Sequence, residues 1–214
     1  MKQSRRPALD AGEGEPLEPR QARSIEKRAR LCAAARDVFG ARGYEGASVE
    51  EITSRAGVAV GAFYLHFRSK RQLLVALMNE LLRRLEGLEL TVPDQRDMRR
   101  ALRTFLERAL RADQENYGVI RAWNEAVSLD PAMAALNEAV HRWSHERVLG
   151  VFRQIGRHPS ARRPRDLEIF AALIDRHLWT LLGRAATLSR ADFDQEARVT
   201  ADVIYRYLVR DAEG

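Results

Sequence analysis

Apolar residues recur at intervals of three and four along most of the chain, and this spacing limits the available folds more than any other feature. Such intervals place side chains on one face of an α-helix, whereas no stretch alternates as a β-strand would. Local signals mark helix starts: Ser48 with Glu51 forms a capping-box pattern, and Asp130 precedes Pro131. The sequence therefore predicts an all-α fold of about nine helices.

Composition changes near residue 20. Residues 1–20 mix prolines, glycines and charges, and they contain too few apolar side chains to offset the entropy lost on ordering. We predict a disordered tail there and helices from there onward. With 214 residues, 45% of them hydrophobic, the chain is long enough to bury one or two cores.

Charge and cysteine content bear on location and partners. The chain has 36 Lys+Arg against 30 Asp+Glu, a net charge of +6, which favours an anionic partner. Its single cysteine, Cys32, excludes an internal disulfide and fits a reducing cytosol. No apolar run approaches the roughly 20 residues that span a bilayer, and the first twenty residues lack the apolar stretch of a signal peptide. We expect a cytoplasmic protein with no membrane association.

Two short helices are predicted in the first third of the chain, over 48–56 and 59–66, joined by a tight turn at Gly57. They follow a longer helix over 24–42. This is the layout of a helix-turn-helix unit, in which the second short helix enters the major groove of DNA.

The second short helix lies within GVAVGAFYLHFRSK, residues 57–70. On a helical wheel, Phe63 and Phe67 fall together and are predicted to face inward. The outward face carries Gly61, Ala62 and Leu65, with Tyr64 and His66 on its two borders. Border positions suit side chains that reach sideways to phosphates.

The next helix begins with two cations, Lys70 and Arg71, after a cap predicted at Ser69 with Gln72 as its reciprocal partner. The helix dipole disfavours cations in the first turn. An anion docking there would relieve the conflict, and a DNA phosphate is the natural candidate.

The stretch ARDVFGARGYEGASVEEITSRAGVAVGAFYLHFRSKRQLL, within residues 25–74, resembles the N-terminal DNA-binding domain of the TetR family of bacterial transcriptional regulators. The spacing of the G-Y, S-V-x-x-I, A-G-V, G-x-x-Y-x-H-F and K-x-x-L positions carries the resemblance. The family implies a homodimer that binds a palindromic DNA operator, usually as a repressor, and dissociates when a small-molecule effector binds its C-terminal domain.

This resemblance implies a domain plan for the whole chain. Residues 21–68 would form the three-helix helix-turn-helix DNA-binding domain, residues 69–90 a connecting helix, and residues 91–214 a helical ligand-binding and dimerisation bundle.

Carried over residue by residue, the family's DNA contacts fall on two groups. The phosphate contacts are Ser48, Tyr64, His66 and Lys70, and the recognition surface is Ala59, Val60, Gly61, Ala62 and Leu65. The family commonly has serine or threonine at position 59, often lysine or arginine at 60 and often threonine at 62. This helix therefore offers few hydrogen-bonding groups to bases, and we expect Ala62 and Leu65 to contact thymine methyl groups while DNA shape supplies the remaining specificity.

Basic residues cluster between Arg20 and Arg30, before and within the first helix. Two interpretations remain open for this cluster. It is either an arm that enters a minor groove or an ordinary solvated basic face.

The last two long helices carry apolar residues on more than one face. Residues off the main stripes are Ile169, Leu173 and Trp179 on the first, and Val199, Val203 and Tyr207 on the second. Two apolar faces need two partners. The helices are either central in a larger bundle or part of a four-helix dimer interface, and the small number of remaining helices favours the dimer.

Ligand binding and catalysis leave weaker patterns. The predicted ligand-binding residues are Phe105, Trp123, Trp143, His177 and Trp179, although ordinary core packing competes for each aromatic one. Asp175 is a further polar candidate for that pocket. His141 and His145 lie one turn apart, but no cysteine or metalloprotease glutamate accompanies them, so we predict no metal and no cofactor. Without a nucleophile elbow, phosphate loop or dinucleotide fingerprint, no enzymatic activity is expected.

Two functional hypotheses follow. The leading one is a DNA-binding transcriptional regulator, most often a repressor, with an activator of the same fold as its variant. The other is a ligand-binding or partner-binding helical bundle with a vestigial DNA-binding domain, which the apolar outer face of the second short helix supports.

Overall fold

The computed structural model describes residues 5–14, 16, 21–92, 97–114, 116–184 and 188–210. These residues form α1 (Ala22–Arg42), α2 (Val49–Ala56), α3 (Val60–Tyr64), α4 (Lys70–Glu86), α5 (Met98–Gln114), α6 (Tyr117–Leu129), α7 (Pro131–Ile155), α8 (Leu167–Arg184) and α9 (Arg190–Leu208). Within the described ranges, β-structure is limited to one isolated bridge between Ala161 and Val209. The all-α fold is confirmed. No helix in the described part of the chain has both the length and the apolarity to cross a membrane.

The caps predicted at Ser48 and Asp130 are confirmed, and each lies at the beginning of a helix. The Ser48 hydroxyl oxygen accepts a hydrogen bond from the Glu51 N–H at 3.0 Å, at the beginning of α2. The Asp130 carboxylate accepts one from the Ala132 N–H at 2.9 Å, at the beginning of α7. Each cap satisfies a backbone N–H that the helix itself cannot pair.

The chain divides into two compact units, each built from segments that are distant in sequence. One comprises Pro7–Arg83 with Asn116–Ala139, and the other comprises Met1–Arg6, Arg84–Glu115 and Val140–Gly214. This division differs from the contiguous domains of the sequence-based plan because α6 packs along α1 within the first unit. The predicted boundaries of the functional domains stay predictions.

The unit with α1–α3 has a core of large apolar side chains. Those with almost no solvent exposure include Leu31, Phe39, Ile52, Phe63, Phe67, Leu73, Leu74, Leu77 and Trp123. Removing such side chains from water supplies most of the stability of the unit. The core therefore fixes α3 from its inner side.

Residues 7–14 lie along α4 in the same unit. Leu9 is buried, and its backbone N–H and C=O both pair with the Asn79 side-chain amide, at 3.1 and 2.8 Å. The Gln72 amide donates to the Gly14 carbonyl at 2.7 Å. This packing differs from the predicted disordered tail, because side chains of α4 satisfy backbone groups that composition alone leaves unpaired. The rest of that prediction, at residues 1–4, 15 and 17–20, lies outside the described residues.

The second unit joins α5, α8, α9 and the later part of α7 around another apolar core. Its buried members include Leu102, Leu106, Phe152, Ile155, Ile174, Ala201, Ile204 and Leu208. Tyr207 stacks on Phe170 with ring centroids 3.9 Å apart, so part of its ring contributes to this core.

Candidate nucleic-acid interface

The turn between α2 and α3 is built for a sharp change of direction. Gly57 ends α2 with φ of 64°, a left-handed conformation that favours glycine. The Val58 N–H then bonds to the Thr53 carbonyl at 3.0 Å. These contacts fix the direction in which α3 leaves α2.

Two buried phenylalanines anchor α3 to the core, as predicted. Phe63 and Phe67 are almost fully buried, with ring centroids 5.8 Å apart. A helix of this length has little stability of its own, so packing holds it in place. The inward orientation of both side chains is confirmed.

The opposite face of α3 is exposed and mostly apolar. The exposed fractions of Val60, Tyr64 and Leu65 are 39%, 55% and 68%. Ala59 and Gly61 are also exposed, whereas Ala62 is half-buried. Large apolar side chains kept in water on a rigidly anchored helix are typical of an interaction surface.

Tyr64 and Ser48 are the hydroxyl-bearing residues among the predicted phosphate contacts. The Tyr64 ring packs edge-on against Phe63 at 5.3 Å while most of its side chain stays in solvent. Ser48 is half-buried, and its oxygen is an acceptor in the α2 cap. Because a hydroxyl both accepts and donates, the Ser48 O–H remains compatible with a phosphate.

His66 lies elsewhere than predicted. Its side chain is only 4% exposed, and its ring is 6.4 Å from the Phe67 ring. Burial lowers the pKa of His66, and the neighbouring charges of Arg28 and Lys27 lower it further. The wheel placed His66 on a border because it assumed that α3 continues to residue 66, whereas α3 ends at Tyr64. The imidazole thus belongs to the interior edge and not to the predicted phosphate-contacting rim.

Lys70 also differs from its predicted role. Its ammonium donates to the carbonyls of Tyr44, Glu45 and Ala47, at 2.7, 3.2 and 2.8 Å. An ammonium has three N–H donors, so these bonds use all of them. Desolvation by burial lowers the Lys70 pKa, against the opposing influence of Glu45 and Glu125. The geometry leaves no donor of this side chain for the predicted phosphate.

Arg71, the second cation in the first turn of α4, has carboxylates as partners. It donates to Glu13 at 2.9 Å and to Asp130 at 3.0 Å, and these hydrogen bonds raise its pKa. Glu13 also accepts from the Ser69 hydroxyl at 2.8 Å. The anion expected at this helix start is therefore supplied by the protein itself. The Ser69 cap is confirmed, because its oxygen accepts from the Gln72 N–H at 3.1 Å.

The basic cluster of α1 is partly visible. Arg20 lies outside the described residues, whereas Arg23, Lys27 and Arg30 are exposed. Arg28 is half-buried, with its guanidinium 5.3 Å from the centre of the Phe67 ring. Arg28 thus packs against Phe67, which follows α3, whereas Arg23, Lys27 and Arg30 remain exposed to solvent.

Glu125 of α6 is a site residue that sequence reasoning missed. Its carboxylate accepts hydrogen bonds from the Tyr44 and Glu45 N–H groups, at 2.7 and 3.1 Å. About eighty residues separate these partners along the chain, so no local motif indicates the contact. Only the packing of α6 on α1 brings them together.

The predicted ligand-binding residues are divided between the two units. Trp123 is fully buried in the unit with α1–α3, where its indole N–H donates to Asn137 at 2.9 Å. In the other unit, Trp143 is buried, Phe105 and Trp179 are half-buried, and His177 is exposed. His177 lines an open groove beside Thr200, 2.9 Å from its hydroxyl.

A polar cluster in this second unit involves one of these aromatic residues. The Ser144 hydroxyl donates to the Asp175 carboxylate, and the Trp179 indole N–H donates to Ser144 at 3.2 Å. Asp175 is buried, and this burial raises the pKa of its carboxyl. Across the described part of the chain, no three histidine, cysteine, aspartate or glutamate residues are grouped to hold a metal ion.

Comparison with known proteins places this geometry among bacterial regulators. The family model described as bacterial regulatory proteins, tetR family, matches residues 31–77. The transposon Tn10 TetC protein of Escherichia coli is 31% identical over 134 residues, which cover 57% of this chain and 68% of that protein. The transcriptional activator FasR of Mycolicibacterium smegmatis is 33% identical over 100 residues, 44% of this chain and 45% of FasR. The match thus spans less than half of FasR.

Solved structures share the fold over most of the chain. SmeT, the repressor of the Stenotrophomonas maltophilia multidrug efflux pump SmeDEF, superposes with a TM-score of 0.65 at 23% identity, covering 87% of this chain and 94% of SmeT. A SmeT–triclosan complex gives a TM-score of 0.68 at 21% identity, with coverage of 87% and 93%. The matched family model describes regulatory proteins, in agreement with the expectation that the chain is not an enzyme.

Proposed function

Since this chain belongs to the TetR family of bacterial transcriptional regulators, we propose that it binds a palindromic DNA operator as a homodimer and represses transcription until a small-molecule effector releases it. That it is a DNA-binding regulator follows from its family. The proposal concerns the operator contacts, the assembly and the direction of control. It places the protein in the cytoplasm, together with its DNA.

The single observation that carries the operator proposal is the exposed outer face of α3. Val60 in α3 and Leu65 directly after it are exposed to solvent, whereas Phe63 between them is buried and fixes the helix. Apolar side chains discriminate bases in the major groove by contacting the thymine methyl group. With Ala59, Gly61 and Ala62 adding no hydrogen-bonding side chain, this mode of recognition suits an operator rich in A·T pairs, read partly through its shape.

Phosphate contacts position this face on the duplex without specifying sequence. Tyr64 in α3 and Ser48 at the start of α2 supply hydroxyl groups, and Arg23, Lys27 and Arg30 supply exposed cations on α1. The His66 side chain is buried, and the Lys70 ammonium is bonded to three backbone carbonyls. Because cationic contacts release counterions, binding is expected to weaken steeply as salt rises.

Exposed apolar residues on α8 and α9 support the homodimer. Ile169 and Leu173, one turn apart on α8, are 63% and 55% exposed, and Val199 and Val203 on α9 are 56% and 47% exposed. Two such stripes on neighbouring helices fit a self-complementary interface around a two-fold axis. A two-fold dimer also presents two copies of α3 to the two halves of a palindrome.

Repression and an effector are proposed from the relatives. SmeT is described as a repressor and has been solved with triclosan, whereas FasR is named an activator. Since a bound operator acts in either direction according to its position relative to a promoter, the activator remains the second candidate, supported by the similarity to FasR.

Genome-wide mapping of DNA bound to the full chain, combined with transcript levels in a strain lacking its gene, tests the proposal. A small set of palindromic segments is expected, and the neighbouring transcripts should rise in the deletion strain. Falling transcripts would instead support the activator. Absence of any enriched segment would contradict operator recognition and favour the ligand-binding bundle with a vestigial DNA-binding domain.

A further inference from the structure

Residues 43–47 form a loop that connects α1 to Ser48, the cap of α2. Gly43 has φ of 74°, and Ala47 is buried. A short loop of this kind carries backbone groups that neither flanking helix pairs, so its geometry depends on partners from elsewhere. The structure supplies them on two sides.

Glu125 holds the N–H side of the loop. Its two carboxylate oxygens accept from the Tyr44 and Glu45 N–H groups at 2.7 and 3.1 Å. Hydrogen bonds to a charged acceptor are stronger than neutral ones. Gly43 permits this approach, because a Cβ at that position would lie 3.1 Å from the Glu125 carboxyl carbon and would clash with a carboxylate oxygen.

Lys70 holds the carbonyl side of the same loop. Its three N–H groups are directed to the carbonyls of Tyr44, Glu45 and Ala47, and its ammonium also lies 4.7 Å from the centre of the Tyr44 ring. The donors of an ammonium diverge from a single atom, which suits three acceptors around one point. The planar fork of an arginine has a different geometry.

We propose that Lys70 and Glu125 are positioning residues for DNA recognition, which fix loop 43–47 between them and thereby the start of α2 against which α3 packs. This inference rests on the proposed operator binding. It gives the Lys70 side chain an internal role in place of a phosphate contact, and it gives α6 a direct part in shaping the DNA-binding surface.

Hydrogen exchange on the unmodified full chain tests the contact first. The Tyr44 and Glu45 amides are expected to exchange slowly, because both are bonded to Glu125. Glu50, which is exposed in the first turn of α2, provides the comparison, since its N–H has no partner within the helix. Exchange of Tyr44 and Glu45 at the unprotected rate would overturn the proposal before any variant is made.

Operator affinity of Lys70→Met and Lys70→Arg, measured across a range of salt concentrations, separates positioning from phosphate contact. A positioning role predicts that both variants lose about tenfold in operator affinity, since neither provides three converging donors. The slope of log K against log salt should stay at the wild-type value. Recovery of affinity in Lys70→Arg, with a slope reduced by about 1 in Lys70→Met, would show a phosphate contact and overturn the proposal.

The second experiment measures operator binding by Glu125→Gln, with Glu50→Gln as the matched control. Removing a negative charge from a DNA-binding protein should by itself strengthen DNA binding, and Glu50→Gln shows the size of that effect. Glu125→Gln is expected to weaken operator binding about tenfold and to speed exchange at Tyr44 and Glu45. Stronger binding in both variants would contradict the proposal. If the wild-type chain binds operator and random DNA equally well, that result would instead refute the proposed function.

Discussion

Gly118 of α6 lies directly against Gly40 of α1, so close that a Cβ on Gly118 would come within 3.0 Å of the Gly40 Cα. The two helices thus touch backbone to backbone. Gly118→Ala should therefore lower the free energy of unfolding by about 3 kcal/mol, because backbone atoms cannot move aside as a flexible side chain can. Denaturant unfolding of the two proteins measures the difference.

The matched control for this prediction is Gly150→Ala in α7. A Cβ there would meet nothing within 4 Å, and alanine is the better helix former. It should leave stability unchanged or raise it by up to about 1 kcal/mol. Equal effects of the two substitutions would contradict the close crossing of α1 and α6.

Leu65→Ala tests the apolar mode of base recognition. Since Leu65 is 68% exposed, the substitution should leave folding intact. It should reduce the preference for operator over random duplex by roughly 1 kcal/mol, about fivefold, while nonspecific affinity stays nearly constant. Leu129→Ala, at an exposed leucine of α6, is the control and should change neither affinity. Equal losses of Leu65→Ala on operator and random DNA would contradict the prediction.

The dimer prediction concerns Leu173, the exposed leucine of α8. A glutamate at this position would bring two negative charges near a two-fold axis, where like charges oppose association. The wild-type chain is expected to sediment as a dimer and Leu173→Glu largely as a monomer. Leu129→Glu should remain dimeric. A monomeric wild-type chain, or an unchanged mass in Leu173→Glu, would count against this interface.

The packing of residues 7–14 on α4 predicts a stability effect from the N-terminal segment. Leu9→Ala should lower the free energy of unfolding by about 2 kcal/mol, because Leu9 is only 7% exposed. Leu129→Ala again serves as the control, with an expected change below about 0.5 kcal/mol. If Leu9→Ala has no effect, the segment does not pack on α4 in solution.

Asp175 predicts a pH dependence of stability. Burial raises the pKa of Asp175 above its ordinary value of 3.8, although Ser144 and the charges of His141, His145 and Arg176 oppose this shift. The folded chain therefore holds the proton more tightly than the unfolded chain. The stability from this group is complete below pH 3.8 and is lost as pH rises through the folded pKa.

Unfolding of Asp175→Asn across pH measures this effect. Asparagine keeps an oxygen for the Ser144 hydroxyl but carries no charge. Relative to wild type, the variant should gain stability as pH rises from about 4 to 8. Asp10→Asn, at an exposed carboxylate, is the matched control for the loss of a charge. A relative loss of stability in Asp175→Asn over that range would contradict the assignment.

Features that depend on neighbouring residues could be predicted from the sequence. Ser48, Ser69 and Asp130 cap helices where their local patterns placed them. The inward orientation of Phe63 follows from helical spacing, whereas Phe67, which is also buried, lies beyond the end of α3. In each case the relevant partners lie within a few residues, so the pattern contains the information.

Features that depend on distant segments could not be predicted. Lys70 and Glu125 meet at one loop only because α6 packs on α1, and the wheel for α3 assumed a longer helix than the one that leaves His66 buried. Leu9 is ordered because Asn79 pairs its backbone. Pattern and propensity indicate which face of a helix is apolar, but they do not indicate which segment covers it.

The most direct test of the account is the affinity of the full chain for its mapped operator and for random duplex of equal length, measured at physiological salt. Operator recognition predicts binding to the palindromic segment on the order of a thousandfold tighter or more, with both affinities falling as salt rises. Equal affinity for the two duplexes would contradict the account.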